Sequence, residues 1–133
     1  MTPLSSALVI AALIQMAIAA ANLMVARRLE YGRNLARLTP IVSQIFIVHA
    51  AYVAGVVFWF GLLCLLFATR MTAGDPLARF LAGGLATFWG VRLVLQLAVY
   101  DKRVRRRHRL EDLAFILACV YLTLILSAAA VRP

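Results

Sequence analysis

Carboxylates are scarce in this sequence, with five Asp and Glu against fourteen Lys and Arg in 133 residues. The five are Glu30, Asp75, Asp101, Glu111 and Asp112, and each lies between or at the edge of long apolar stretches. Paired carboxylates for acid and base work inside those stretches are therefore lacking. HExxH, GxSxG and phosphate-cradling glycine loops are lacking too, and Gly83-Gly84 does not extend to GxGxxG. The two cysteines, Cys64 and Cys119, form no CxxC or other metal-ligand spacing. Counted along their spans they differ in depth too much for a bridge. Of the two histidines, His49 lies within an apolar stretch and His108 within a basic one, so a bis-His haem cannot be assembled from one chain. Repeats and low-complexity linkers are missing as well. These absences argue against a catalytic role.

What the sequence does have is apolar length. Hydrophobic residues make up 65% of the chain, charged residues 14%, and the mean hydropathy is +0.93, far from a water-soluble domain. Four stretches, residues 5–26, 41–68, 77–100 and 110–131, each reach the roughly 20 residues needed to cross an apolar core about 30 Å thick. They are unbroken and do not alternate as membrane β-strands do, and open sheets leave backbone groups unsatisfied in lipid. The expected fold is an all-α integral membrane protein. It is a four-transmembrane-helix bundle forming a single domain over 1–133. Pro40 suits the start of the second span, and Asp75 followed by Pro76 suits a cap on the third.

The cations set the expected orientation. Arg27, Arg28, Arg33 and Arg37 occupy the first connection, and Lys102, Arg103, Arg105, Arg106, Arg107 and Arg109 the third. Only Arg70, Arg79 and Arg132 fall on the other side. This bias makes loops 27–40 and 101–109 cytoplasmic and predicts an N-out, C-out protein of a bacterial-type inner membrane. The ten loop cations are expected to contact anionic lipids, with Arg33 and Arg37 on the polar side of a short interfacial turn. The run from Asp101 to Asp112 has no aromatic residue to stack a base, so nucleic acid is not an expected partner. The first stretch has no basic n-region and is flanked by Arg27 and Arg28, which reads as a retained span rather than a cleaved leader.

Polar residues inside spans are costly, so they mark where function is to be sought. At 1.5 Å per residue, His49 and Arg92 both lie ~12 Å from the cytoplasmic ends of their spans. Trp89, Arg92 and Gln96 share one helix face, as do Gln44, Tyr52, Gly55 and Trp59 with His49 at the edge. Both faces are expected to point inward. Gln15, Ala19 and Asn22 make a milder polar face in the first span, and Asp112, Ile116, Cys119, Thr123 and Ser127 in the fourth. The candidate ligand site is thus Asn22, Gln44, His49, Tyr52, Arg92 and Gln96, with Cys119 nearby. Partners open to Arg92 are Gln96, Gln44, a carbonyl, Asp101, Asp112, water, a lipid phosphate or an anionic ligand. His49 could bond across helices, relay a proton, bond a quinone or, through a second chain, ligate haem. No metal or cofactor is specified by these residues.

Ala82, Ala86 and Gly90 recur every four residues and favour close helix approach. In size and four-span layout the chain resembles the small multidrug-resistance transporters. That family depends on an acidic residue in its first span, where this chain has Gln15 and Asn22 but no carboxylate. Coupled exchange of protons for cations is therefore not carried over. The expected function is that of a non-catalytic subunit or accessory factor of a membrane assembly, with other membrane subunits or a second copy as partners. The alternative is membrane-embedded binding or transport of a quinone, lipid or other amphipathic or anionic ligand at the polar pocket, or an enzyme acting on it.

Overall fold

A computed structural model describes residues 2–28, 31–100 and 102–132, with side chains described except at 23, 25–28, 31–32 and 104. Asp101, one of the partners open to Arg92, thus lies outside the described residues, as do the side chains of Arg27 and Arg28. The described residues are helical, without a strand: α1 Pro3–Arg28, α2 Tyr31–Leu35, α3 Pro40–Met71, α4 Pro76–Ala98, α5 Lys102–Arg107 and α6 Arg109–Val131. Four of these, α1, α3, α4 and α6, are long and apolar enough to cross a membrane. A helix of 23 residues, such as α4 or α6, extends about 34 Å, a little more than the hydrocarbon thickness.

Local chemistry explains the helix starts. Thr2 caps α1, its Oγ1 accepting from Ser5 N at 3.1 Å, and Pro3 follows at the first helical position. Pro40 likewise opens α3. Asp75 caps α4 through Ala78 N at 3.0 Å, with Pro76 behind it. The turn into that cap needs Gly74, whose φ of 83° is strained for a residue with a Cβ. Near its end α3 breaks from helical geometry at Phe67 (φ −116°, ψ 19°).

The chain forms two compact units, one of residues 1–11 and 67–133 and one of residues 12–66. In the first, α4 packs antiparallel on α6. Ala78, Ala82, Leu85, Ala86 and Trp89 are buried on α4, and Cys119, Leu122, Leu126 and Ala129 on α6. The small residues of α4 set the spacing. A Cβ on Gly83 would sit 3.7 Å from Ala130 Cβ and one on Gly90 3.6 Å from Thr123 Cγ2, so the two helices touch nearly along their length. Arg79 Nε donates to the Ala130 carbonyl at 3.0 Å, satisfying a terminal acceptor of α6 and placing a cation at the negative end of its dipole. Tyr121 donates to the Ala7 carbonyl at 3.0 Å.

In the second unit, α1 and α3 approach still more closely. A Cβ on Gly61 would lie 2.9 Å from Met16 Cγ and 3.0 Å from the Ala12 carbonyl oxygen, and the latter is backbone that cannot step aside. Beside it the buried Gln15 donates from Nε2 to Cys64 Sγ at 3.4 Å. Both cysteines are free thiols, buried on different helices.

Gly61→Leu is therefore expected to destabilise the protein by about 1–3 kcal/mol through overpacking. Gly55→Leu, with nothing within 4 Å of an added Cβ, should change stability by less than about 0.5 kcal/mol. Thermal unfolding in mild detergent, followed by circular dichroism, checks the pair. Equal melting of the two variants would contradict the close approach at Gly61.

Candidate functional site

The most expensive side chain in any apolar helix here is Arg92, and the structure accounts for it within one unit. Arg92 is half-buried on α4. Its guanidinium lies between two aromatic faces, 4.9 Å from the Tyr100 ring centre and 4.6 Å from that of Phe115. Such contacts favour the cation more strongly as water is excluded. Its Nη1 donates to Gln96 Oε1 at 3.1 Å, one turn along the same helix.

Gln96 passes the interaction on. With Oε1 taken by Arg92, Nε2 donates to Asp112 Oδ1 at 2.6 Å, crossing from α4 to the first turn of α6. Only one orientation of the amide serves both neighbours. Asp112 is completed by Arg105, whose Nε donates to its two oxygens at 3.1 and 3.2 Å, while Arg105 Nη1 donates to the Leu97 carbonyl at 3.4 Å. The result is an unbroken chain, Arg92 to Gln96 to Asp112 to Arg105, that ties α4, α5 and α6 at one end of the unit. Among the described residues no buried side-chain nitrogen or oxygen lacks a partner.

A cleft of about 590 Å³ opens beside this chain, lined by Lys102, Arg105, Arg106, Arg109 and Asp112. Lys102, Arg106 and Arg109 are exposed, whereas Arg105 is half-buried against Asp112. Arg103 and Arg107 are exposed on the same short helix, and Arg33 and Arg37 are exposed in the first connection. At the start of α6, His108 Nδ1 lies 3.8 Å from Glu111 Oε2, a loose contact that is ionic only when the ring is protonated.

The remaining candidates belong to the other unit. Asn22 is half-buried on α1. Gln44, His49 and Tyr52 are exposed on α3, Tyr52 at 72%. His49 Nδ1 lies 2.9 Å from the carbonyl oxygen of its own helix at Ile45, which can only accept, so that nitrogen donates. The face expected to point inward on α3 is exposed, Gly55 and Trp59 included. It lines a shallow apolar groove of about 540 Å³ formed by Ala51, Tyr52, Gly55, Val56, Trp59 and Phe60. Ala51, Gly55 and Trp59 form one row at i±4 spacing and Tyr52, Val56 and Phe60 the next, the geometry into which a ridge of another helix fits. On α4, by contrast, Trp89 and Gln96 are buried. Cys119 is buried on α6.

Tyr100, Phe115 and Arg105 were not among the candidate ligand-site residues, and they are what holds Arg92 and Asp112. Gln96 could be paired with Arg92 from its i+4 spacing alone. The other three depend on how α4 and α6 align, which residue spacing within one helix does not reveal. Among the described residues no three His, Cys, Asp or Glu side chains converge as a metal site would require. The features at hand are a cluster of cations around the basic cleft and an apolar surface at the α3 groove. No protein-family model matches this chain, and neither a curated protein nor a solved structure shows significant similarity to it.

Asp112→Ala removes the acceptor shared by Gln96 and Arg105 and is expected to cost about 1–3 kcal/mol. Arg92→Met keeps most of the apolar stem and removes the charge, and should couple to Phe115→Leu by about 0.5–1 kcal/mol in a double-mutant cycle. Unfolding titrations in mixed micelles measure both. Additivity of the Arg92 and Phe115 substitutions would rule out the stacking contribution.

Proposed function

We propose that this is an integral protein of a bacterial-type inner membrane, N-out and C-out, acting as a non-catalytic subunit or accessory factor of a membrane assembly. The observation that carries this reading is the closed chain from Arg92 to Arg105. The side chain most suited to binding or chemistry inside an apolar helix is engaged by Gln96, Tyr100 and Phe115, and its network ends on Asp112 and Arg105. Arg92 then serves to join helices. What the protein offers to others is apolar surface, and the α3 groove supports contact with a helix of another membrane polypeptide. Gly55 forms its low point, between the exposed aromatic rings of Tyr52 and Trp59. Small residues flanked by large ones are how helices approach in lipid, where no water is released to drive association.

Orientation follows from the distribution of basic residues. Ten cations in the first and third connections against three on the other side put loops 27–40 and 101–109 in the cytoplasm. A second reading, binding of an anionic amphipathic ligand, is favoured by the cleft of Lys102, Arg105, Arg106 and Arg109.

Extraction from the native membrane in a mild detergent, followed by native mass spectrometry, should give a mass shared with another polypeptide. Gly55→Leu should reduce the shared species at least about fivefold without lowering the melting temperature. A lone monomer or homodimer in both proteins would count against the accessory role. For orientation, a membrane-impermeant thiol reagent should label Thr72→Cys in intact cells and Arg106→Cys only after permeabilisation, and the reverse pattern would invert the topology.

A further inference from the structure

Three cations of the basic cleft make no ion pair or hydrogen bond with the described residues. Arg105 is committed to Asp112 and to the Leu97 carbonyl. Among the described residues Lys102, Arg106 and Arg109 have no ion-pair partner, yet they line one cleft with Arg105 and Asp112. Among the described lining residues, one carboxylate stands against four cations, which leaves three positive charges in excess around about 590 Å³. Like charges gathered at the edge of an apolar layer repel one another, and an anion of matching charge relieves that repulsion. A single phosphodiester neutralises only one of the three. Two phosphates match the excess far better, and guanidinium groups grip phosphate oxygens two at a time.

The surroundings of the cleft say what carries the phosphates. Leu110, Leu113, Leu117 and Leu124 are all exposed on α6. Their spacing of three, four and seven residues places them along one side of the helix. Arg109, which lines the cleft, stands four residues before Leu113, so the basic cleft and the leucine stripe adjoin on the same helix. A polar mouth with an apolar track leading from it fits a headgroup with attached chains rather than a soluble anion.

We propose that the cleft formed by Lys102, Arg106 and Arg109 at the α5–α6 junction is a specific site for a lipid whose headgroup carries two phosphates. The leucine stripe of α6 takes its acyl chains. Arg105 is a positioning residue here: its bonds to Asp112 and Leu97 hold α5 against α6 and α4 so that the other three cations converge. The proposal rests on the membrane reading above and deepens its second form, naming the class of ligand and the residues that select it.

The test uses the full chain purified in mild detergent and mixed with equal amounts of cardiolipin, as the two-phosphate probe, and phosphatidylglycerol, as the one-phosphate probe. Native mass spectrometry reads the ratio of the two bound forms. A basic residue near an anionic headgroup contributes about fivefold in binding, so three contribute roughly a hundredfold. Wild type is expected to retain cardiolipin with at least about tenfold preference. Lys102→Gln/Arg106→Gln/Arg109→Gln should abolish that preference, while Arg33→Gln/Arg37→Gln, which removes two cations of the other connection, should leave it intact. Arg106→Gln alone, on an exposed side chain outside the Asp112 network, should reduce the preference about fivefold and serves if the triple variant fails to fold.

Equal retention of the two lipids by wild type would overturn the proposal. So would loss of preference in the Arg33/Arg37 variant, which would show diffuse attraction, or displacement of cardiolipin by an equal concentration of pyrophosphate, which would point to a soluble anion. Carbonate-washed membranes separate the two levels of inference. A chain that stays with the membrane but shows no preference defeats the lipid site alone, and a chain released by carbonate defeats the membrane reading as well.

Discussion

The close antiparallel contact of α4 with α6 is the constraint from which the rest of the first unit follows. Ala78, Ala82 and Ala86 are buried along α4, and Gly83 and Gly90 leave under 4 Å between an added Cβ and the facing helix. Helices this near cannot slide freely, because Gly83 faces Ala130 and Gly90 faces Thr123 at van der Waals distance. Register then dictates chemistry. It sets Gln96 against Asp112 at one end and Arg79 against the Ala130 carbonyl at the other. Polar contacts at both ends of an apolar contact act as pins.

In an apolar layer a charged side chain costs a few kcal/mol even when it reaches toward the surface. Arg92 offsets that cost in three ways: two aromatic faces, a neutral amide and, through the amide, a carboxylate at the helix end. A direct Arg92–Asp112 pair would have brought a full anionic charge deeper. Routing it through Gln96 leaves the carboxylate at the first turn of α6, where the positive end of the helix dipole and Arg105 both favour it. The division between units is equally clear in surface character. One unit carries the polar network and the basic cleft, and the other carries an apolar groove on a helix exposed along much of its length.

Much of this architecture is legible in the sequence. Four apolar stretches give four long helices because length and hydropathy decide that outcome locally, and Pro40 and Asp75-Pro76 mark helix starts through chemistry confined to one turn. The packing side of α4 follows from the spacing of its alanines. The packing side of α3 does not. That helix is apolar nearly all round, so nothing periodic distinguishes the side that meets a neighbour, and Gln44, His49 and Tyr52 end up exposed where inward placement was expected. The Arg92 site lies between these cases. Gln96 is recognisable at i+4, whereas Tyr100, Phe115 and Arg105 join only once α4, α5 and α6 are aligned.

The direction of synthesis gives the Arg92 network a further meaning. Asp112 and Arg105 are made after α4, so in a membrane α4 would emerge with Arg92 and Gln96 still lacking their carboxylate. An arginine-bearing helix in that condition is poorly suited to settle alone, and the carboxylate that completes its network lies on the next long helix to leave the ribosome. If the helices cross a bilayer as proposed, the partnership favours delivery of α4 and α6 as a hairpin, with α5 as the bend.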